Sequence, residues 1–351
     1  MASKRNDFIK NLMAKKVLII GSGSMGLKHA KTINANNPLY KIFILARKNK
    51  ISMPEYIEDV LKSLDEALQI NPDYVVIANP AKFHLSDLEK LVSAGHKKIL
   101  IEKPICTSFD DIDHSPIFLN KKNLSLQVGY NLRFYESLVF LRNKIQSQFL
   151  GLPIKVEAKV GQHLSLWREG IDYRHSVTAQ KKLGGGALLE LSHEIDYLRW
   201  IFGEFLWVSG KLDKVSDLDI DVEDSVFIKA ESKFIKNKKV SISLSMDLIC
   251  NPPKRYCLVT CENGLMQWDG LTNDVKIYNP NNNKWKTLFH GKKELNSTYK
   301  DQWRSFVNKS NNPKSIEIKI SEGIKVIEII EAVRASSLNN SEKITVKRYG
   351  K

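Results

Sequence analysis

Lys103, in Glu102-Lys103-Pro104, follows directly on the apolar run Lys98–Ile101. A lysine at the C-terminal end of a buried parallel strand, next to a proline, is held on rigid backbone. Desolvation beside a bound cofactor brings such an amine toward the working pH. It can then take a hydroxyl proton as a carbinol is oxidised, or return one to a carbonyl. The plain alternative is a surface lysine after a strand. His193 is the second candidate, on a helical stretch that follows Gly184-Gly185-Gly186, with Leu189 and Glu190 four and three residues before it on the same face. A histidine there can bond a substrate oxygen and assist proton transfer, or be a helix histidine satisfied by backbone. Glu194 and Asp196 fall on other faces of that helix and read as structural, as does His29 further upstream.

The cofactor that such chemistry needs has its own signature. Val17–Ile20 is a short β-branched run, Gly21, Gly23 and Gly26 give G-x-G-x-x-G, and Met25–Ala35 reads as a helix. Gly21 allows the tight turn and Gly23 lets backbone approach a pyrophosphate. Gly26 lets helix and strand pack closely, and Ser24 and Met25 open a helix whose N-terminus favours phosphate. About twenty residues further on, an NAD site carries an acidic residue for the ribose 2′-hydroxyl. Here the second strand, Lys41–Ala46, runs into Arg47-Lys48, two cations suited to a 2′-phosphate. NADP(H) is therefore favoured, with NAD(H) as the other possibility. Asn79 and Pro80 end a further strand, and His84 lies close behind them, near the expected nicotinamide position.

Strands and helices alternate up to about residue 130. Helices are expected from the capping box Ser63-Leu-Asp-Glu66 and over Lys82–Ala94, and strands over Tyr74–Ala78, Lys98–Ile101 and Leu124–Val128. This implies a right-handed, doubly wound parallel sheet. After about residue 150 the pattern becomes Ile154–His163, Leu206–Leu212, Ser225–Phe234, Val240–Asp247, Arg255–Cys261 and Leu265–Trp268, with hairpin-like breaks, which implies a largely antiparallel sheet. One helix is expected over 184–203, and two closing helices over Tyr299–Asn308 and Ser321–Ser337. The expected domains are 1–130 and 131–351, with a C-terminal helix free to pack back on the first. The loop Leu166–His175 brings Trp167, Arg168, Tyr173 and Arg174 together, a set that suits a sugar ring or an anionic group.

The formal charge is +15, but the basic residues are scattered among asparagines and form no arginine-rich arm, which argues against nucleic acid. No apolar run approaches the ~20 residues of a membrane span, and Met1–Lys16 lacks a secretory pattern. Four cysteines without metal-like spacing suggest reduced thiols in a cytoplasmic protein, and no metal site is expected.

The ordered set of Gly21–Gly26, Asn79-Pro80 with His84, Glu102-Lys103-Pro104, Gly129-Tyr130-Asn131-x-Arg133, and Gly184–Gly186 with His193-x-x-Asp196 resembles the glucose–fructose oxidoreductase / inositol dehydrogenase / MocA family over nearly the whole chain. The resemblance implies an α/β architecture: an N-terminal Rossmann domain with a doubly wound parallel sheet, and a C-terminal α+β domain with a large, mostly antiparallel open sheet. It further implies NAD(P)-dependent oxidation or reduction of sugars and cyclitols, with Lys103 as the Glu-Lys-Pro lysine and His193 as the active-site histidine. Glu102 falls within the cofactor motif, and Tyr130, Asn131, Arg133, Trp167, Arg168, Tyr173 and Arg174 would shape the substrate pocket. Many members carry aspartate four residues before the histidine; here that position is Leu189, with Glu190 as a substitute. The stretch Glu190–Trp200 is similar to members linked to bacterial surface-sugar biosynthesis, which suggests an amino or nucleotide-linked sugar. A homodimer or homotetramer is expected from the open sheet. The alternatives are a non-catalytic cofactor or sugar sensor, and an enzyme that uses tightly held NAD transiently in a glycosidase- or lyase-type reaction.

Overall fold

The computed structural model describes residues 14–46, 53–113, 124–168, 170–280, 283–292, 294–308 and 317–348. The chain forms two units, one of Met1–Gly129 with Tyr299–Ile320 and one of Tyr130–Thr298 with Ser321–Lys351.

In the first unit, β1 (Lys16–Ile20) buries its last four residues. Val-Leu-Ile-Ile is apolar on both faces of the pleat, so it suits only a strand covered on both sides. It lies inside a six-stranded sheet with β2 (Lys41–Leu45), β3 (Ile57–Leu61), β4 (Tyr74–Ile77), β5 (Lys98–Ile101) and β6 (Ser125–Val128), in the order β3-β2-β1-β4-β5-β6. Every pairing is parallel. Helices α1 (Ser24–Asn36), α2 (Leu64–Gln69), α3 (His84–Ser93) and α4 (Phe109–Asp113) lie in the connections. The order reverses between β1 and β4, the switch point where such sheets bind ligands. The expected capping box forms at α2: Glu66 N donates to Ser63 Oγ at 3.1 Å, and Glu66 Oε2 accepts from Lys62 N at 2.8 Å. Strand β3 was not expected from sequence, because its middle residues Glu58, Asp59 and Val60 are exposed on an edge and give no apolar run.

The second unit is built on a nine-stranded sheet. Helix α5 (Glu136–Gln146) precedes β7 (Pro153–Gly161). Helices α6 (Ala187–Glu190) and α7 (Ser192–Phe202) replace the single helix expected over 184–203, because the backbone turns at Leu191 (φ −97°, ψ 16°). Strands β8 (Glu204–Asp213), β9 (Ser225–Lys233), β10 (Lys239–Asp247), β11 (Lys254–Cys261), β12 (Gly264–Asp269), β13 (Asp274–Asn279) and β14 (Lys284–His290) follow. Helix α8 (Thr298–Val307) sends Trp303 and Phe306 into the core of the first unit, with Tyr74, Val76 and Leu100. Helix α9 (Ile320–Leu338) and the short β15 (Ile344–Thr345) close the chain. The sheet order is β14-β13-β12-β11-β7-β10-β9-β8-β15, and only β7 with β10 is parallel. Strands β13 and β14 escaped the sequence reading because their lysines and the run of asparagines between them read as solvated surface.

Register carries one buried row across this sheet: Ile228 opposite Leu244, Leu244 opposite Ala158, Ala158 opposite Cys257, and Cys257 opposite Trp268. Trp268 Nε1 donates to Ser137 Oγ of α5 at 2.7 Å, and Tyr197 of α7 packs edge-on to the indole. At Gly210 a side chain would meet Val333 of α9 at 2.8 Å, so glycine permits the close helix–strand approach there.

Charged groups are sealed into the second unit. Arg133 donates from Nε and Nη2 to Asp196 at 2.9 and 2.6 Å and from Nη2 to Glu322 at 2.9 Å. Arg199 donates to Glu322 at 2.5 Å and to Glu204 at 2.7 Å. Burial alone would raise the Glu322 carboxyl, but Arg199 and Arg133 outweigh it and hold it at about 2, against an ordinary value of 4.5. A depressed carboxylate contributes stability above its unfolded pKa and loses it as pH falls through the folded value. Stability should therefore fall between about pH 4.5 and 2 more steeply in the wild type than in Glu322→Gln, as read by urea midpoints across that window. In the first unit, Trp303→Ala should cost about 3–5 kcal/mol in urea unfolding.

Candidate functional site

The loop between β1 and α1 has the form that a dinucleotide phosphate requires. Gly21 has φ +117° and its N–H donates to Leu45 O at 3.0 Å, and a Cβ there would lie 2.7 Å from Ala78 O. A Cβ on Gly26 would lie 1.9 Å from Gly21 O, so helix and loop touch there backbone to backbone. Gly23 is the opposite case: it is exposed and extended, and a Cβ would meet nothing within 4 Å. No side chain caps α1, whose first turn is Ser24, Met25 and Gly26. Open space over Gly23, at the uncapped N-terminus of a thirteen-residue helix, fits a pyrophosphate. Arg47 and Lys48 lie outside the described residues.

Beyond β5 the chain enters Glu102-Lys103-Pro104, with a cis bond before Pro104. Lys103 is half-buried. Two buried histidines brace its neighbours. His29 Nε2 lies 2.6 Å from Glu102 Oε1, and Glu102 Oε2 accepts from Lys103 N at 3.2 Å. Burial pushes the Glu102 carboxyl up, yet its bond to His29 and the charges of His29 and Lys103 bring it below the ordinary range. On the other side, His84 is 1% exposed, with Nδ1 2.8 Å from Pro104 O and Nε2 2.8 Å from Asn79 O. Burial lowers its proton affinity. Asn79 Nδ2 donates to Asp87 Oδ2 at 2.6 Å.

The two other residues expected at the cofactor, His84 and Glu102, are buried. His84 and Glu102 point into the protein, because their polar atoms are taken by Asn79, Pro104, His29 and Lys103; both hold the loops that a ligand would touch. Asn79 and Pro80 remain half-buried at the end of β4.

Three residues expected at the substrate are buried in the second unit. Tyr130 is fully buried. Asn131 donates to Thr298 Oγ1 at 2.8 Å and is also buried. Arg133 is 4% exposed and fastened to Asp196 and Glu322. A buried guanidinium needs carboxylates on its fork, and these partners come from segments distant in sequence, so the motif alone could not show the pairing. Trp167, Arg168 and Tyr173 do come together, lining a small cavity with Leu164, Ile171 and Thr178. Trp167 Nε1 donates to Gln162 O at 3.0 Å. Arg174 is exposed and forked onto Asp172, which it holds down to about 2.

His193 has a half-buried ring in the first turn of α7. Glu190 ends α6 on the other side of the Leu191 break, so the continuous-helix relation between the two does not hold. The carboxylate set against His193 Nε2 is that of Glu194, at 3.3 Å. Glu194 is wholly buried and accepts a hydrogen bond from Arg255 Nη2. Sequence reasoning assigned Glu194 to another face and missed Arg255 altogether. The sequence signal was an acidic residue, one of two with Asp196, among the apolar residues of this helix.

Among the described residues, no three His, Cys, Asp or Glu side chains gather as a metal site, and no helix is long and apolar enough to cross a membrane.

Two family models match the chain: "Oxidoreductase family, NAD-binding Rossmann fold" over residues 15–130 and "GFO/IDH/MocA C-terminal domain" over residues 139–267. The chain belongs to the Gfo/Idh/MocA oxidoreductase family. Within this family it is 26% identical over 191 residues to the rhizopine catabolism protein MocA of Rhizobium meliloti, covering 53% of this chain and 56% of that protein. The chain spans about half to two thirds of the length of curated relatives such as this one, 51 to 69%. Among solved structures it is similar to levoglucosan dehydrogenase in complex with NADH, with TM-score 0.79 and 18% identity over 96% of this chain and 100% of that one. It is also similar to the WlbA dehydrogenase of Bordetella pertussis in complex with NADH and UDP-GlcNAcA, with TM-score 0.75 and 18% identity over 95% and 99%. At these identities the two likenesses concern the fold.

The loop glycines separate structure from binding. Gly23→Ala should leave thermal stability within about 1 kcal/mol of wild type, as an N-cap change, and weaken dinucleotide binding at least about tenfold. Gly26→Ala should lower the melting temperature as well, because its Cβ collides with the Gly21 carbonyl. Calorimetry and fluorescence titration read the two effects.

Proposed function

We propose that the chain is an NAD(P)-dependent dehydrogenase or reductase acting on a ring hydroxyl or carbonyl of a sugar, cyclitol or nucleotide-linked sugar. The observation that carries this reading is the open backbone cradle at Gly23, at the switch point of a parallel sheet, in a chain of this oxidoreductase family. When bound, the nicotinamide supplies a hydride acceptor or donor. Lys103, on backbone braced by Glu102 and Pro104, exchanges the hydroxyl proton, and His193 orients that oxygen. Trp167, Arg168, Tyr173 and Arg174 contribute the aromatic and cationic surface that selects the sugar. The WlbA likeness, with its bound UDP-GlcNAcA, and the stretch Glu190–Trp200 support a nucleotide-linked or amino sugar in surface-polysaccharide synthesis.

The missing carboxylate after β2 and the cations Arg47 and Lys48 support NADP(H) over NAD(H). Fluorescence titration should give tighter binding of NADPH than NADH, lost in Arg47→Ala. Equal or tighter binding of NADH would assign the other cofactor, and binding of neither, in protein free of co-purified cofactor, would overturn the reading. With a turnover-positive sugar, Lys103→Ala should lower kcat by about 10²–10⁴-fold with dinucleotide affinity retained. A panel without turnover would favour the sensor alternative.

The sheet of the second unit carries a second row of side chains, on the face opposite its buried one. Phe227, Ser243, Glu157, Leu258 and Gln267 all lie on this face, and Phe227 is 42% exposed. A second copy of the chain is proposed to cover it, giving a homodimer or homotetramer. Light scattering should give a dimeric or larger mass, reduced toward the monomer in Phe227→Lys.

A further inference from the structure

The substrate-side reading of His193, on which this inference rests, leaves open what sets the state of its ring. Glu194 has no exposed surface, and its Oε1 lies 3.3 Å from His193 Nε2 while accepting from Arg255 Nη2. Arg255 is itself anchored, its guanidinium 5.8 Å over the Trp268 ring at the end of the buried sheet row. Burial works against the charge on Glu194, but Arg255 and His193 outweigh it and hold the carboxyl below its ordinary range. An ionised carboxylate only accepts hydrogen bonds, so the ring nitrogen that faces it carries a hydrogen.

We propose that Glu194, held by Arg255, is the positioning residue of His193: it fixes the neutral ring in the Nε2–H tautomer and favours the protonated ring, which makes Nδ1 the atom that gains and loses the proton. Position 189, four residues before the histidine, is a buried leucine, so the orienting carboxylate comes from the residue that follows it. Among the described residues, Tyr197 one turn along α7 and Cys257 on β11 are titratable groups that Glu194 also acts on. Burial and the Glu194 charge push both Tyr197 and Cys257 upward, so they stay neutral, and the Tyr197 hydroxyl is a neutral donor beside the carboxylate rather than a second counter-charge. Arg255 is thus the fixed counter-charge, and His193 is the partner whose proton can come and go.

The test reads the imidazole directly. The full-length protein is labelled with ¹⁵N-histidine, and the His193 signals are assigned by their loss in His193→Asn. Wild type should show the Nε2–H tautomer in the neutral form. Glu194→Gln should lower the titration midpoint of His193 by about one pH unit and give a mixed tautomer, with far-UV and near-UV circular dichroism unchanged. An unchanged midpoint and tautomer in folded Glu194→Gln would overturn the proposal. Arg255→Met strips the carboxylate of its other cation and should raise the midpoint. It carries the test if Glu194→Gln fails to fold, and an unmoved midpoint would then count against the proposal. With an active substrate, Glu194→Gln should lower kcat more than it raises KM and displace the acid limb of the pH profile. Absence of turnover in wild type, with these spectroscopic shifts present, would remove the functional reading and leave this one standing.

Discussion

Helix α7 buries nearly every residue it has, and three of those are charged: Glu194, Asp196 and Arg199. An unpaired charge in such a place would cost several kcal/mol, so each must meet a partner from elsewhere in the second unit. Arg255 comes from β11, Arg133 from the turn before α5, and Glu322 from α9. These three demands fix the helix in rotation and in register. The rest of the unit follows from that fixation: α5 is set by Trp268 and Ser137, α9 lies against Gly210, and Ser336 and Ser337 accept from the backbone N–H groups of Gly210 and Leu212 on β8. His193 sits at the start of this immobilised helix, in its first turn.

The first unit solves the same problem with histidines. Lys103 leaves the sheet at the end of β5, where backbone would otherwise be free to move. Glu102, tied to His29, and Pro104, tied through its carbonyl to His84, hold it on both sides. The braces come from α1 and α3, the helices that follow β1 and β4. The glycine loop, the Asn79 turn and the lysine turn are therefore coupled through buried polar contacts as well as through the sheet.

Much of this was legible in the sequence. The apolar runs of β1, β4 and β5 could only be buried strands, Ser63 and Glu66 announced a helix start, and the alternation in β9 to β11 gave an antiparallel sheet. The glycine spacing was readable because each glycine answers a separate steric demand: Gly21 and Gly26 meet backbone, and Gly23 meets open space. Less was legible where surface chemistry hid periodicity, as in the polar edge strand β3 and the lysine-rich β13 and β14. The direction in which charged residues point was the weakest part. Arg133, Glu102 and His84 are expected at ligands and have buried polar partners that the sequence did not show, and Glu194 reads as structural yet stands against His193.

The sequence by itself determined the class of the fold and the position of the glycine loop. These rest on local rules: period, steric permission and strand-end placement. Tertiary structure alone decided which carboxylate faces His193, which histidines hold Lys103 and where the Arg133 fork lands. Arg255 meets Glu194, His29 meets Glu102 and Arg133 meets Glu322 across 61, 73 and 189 positions of chain, and only the folded chain can show which partner stands within reach.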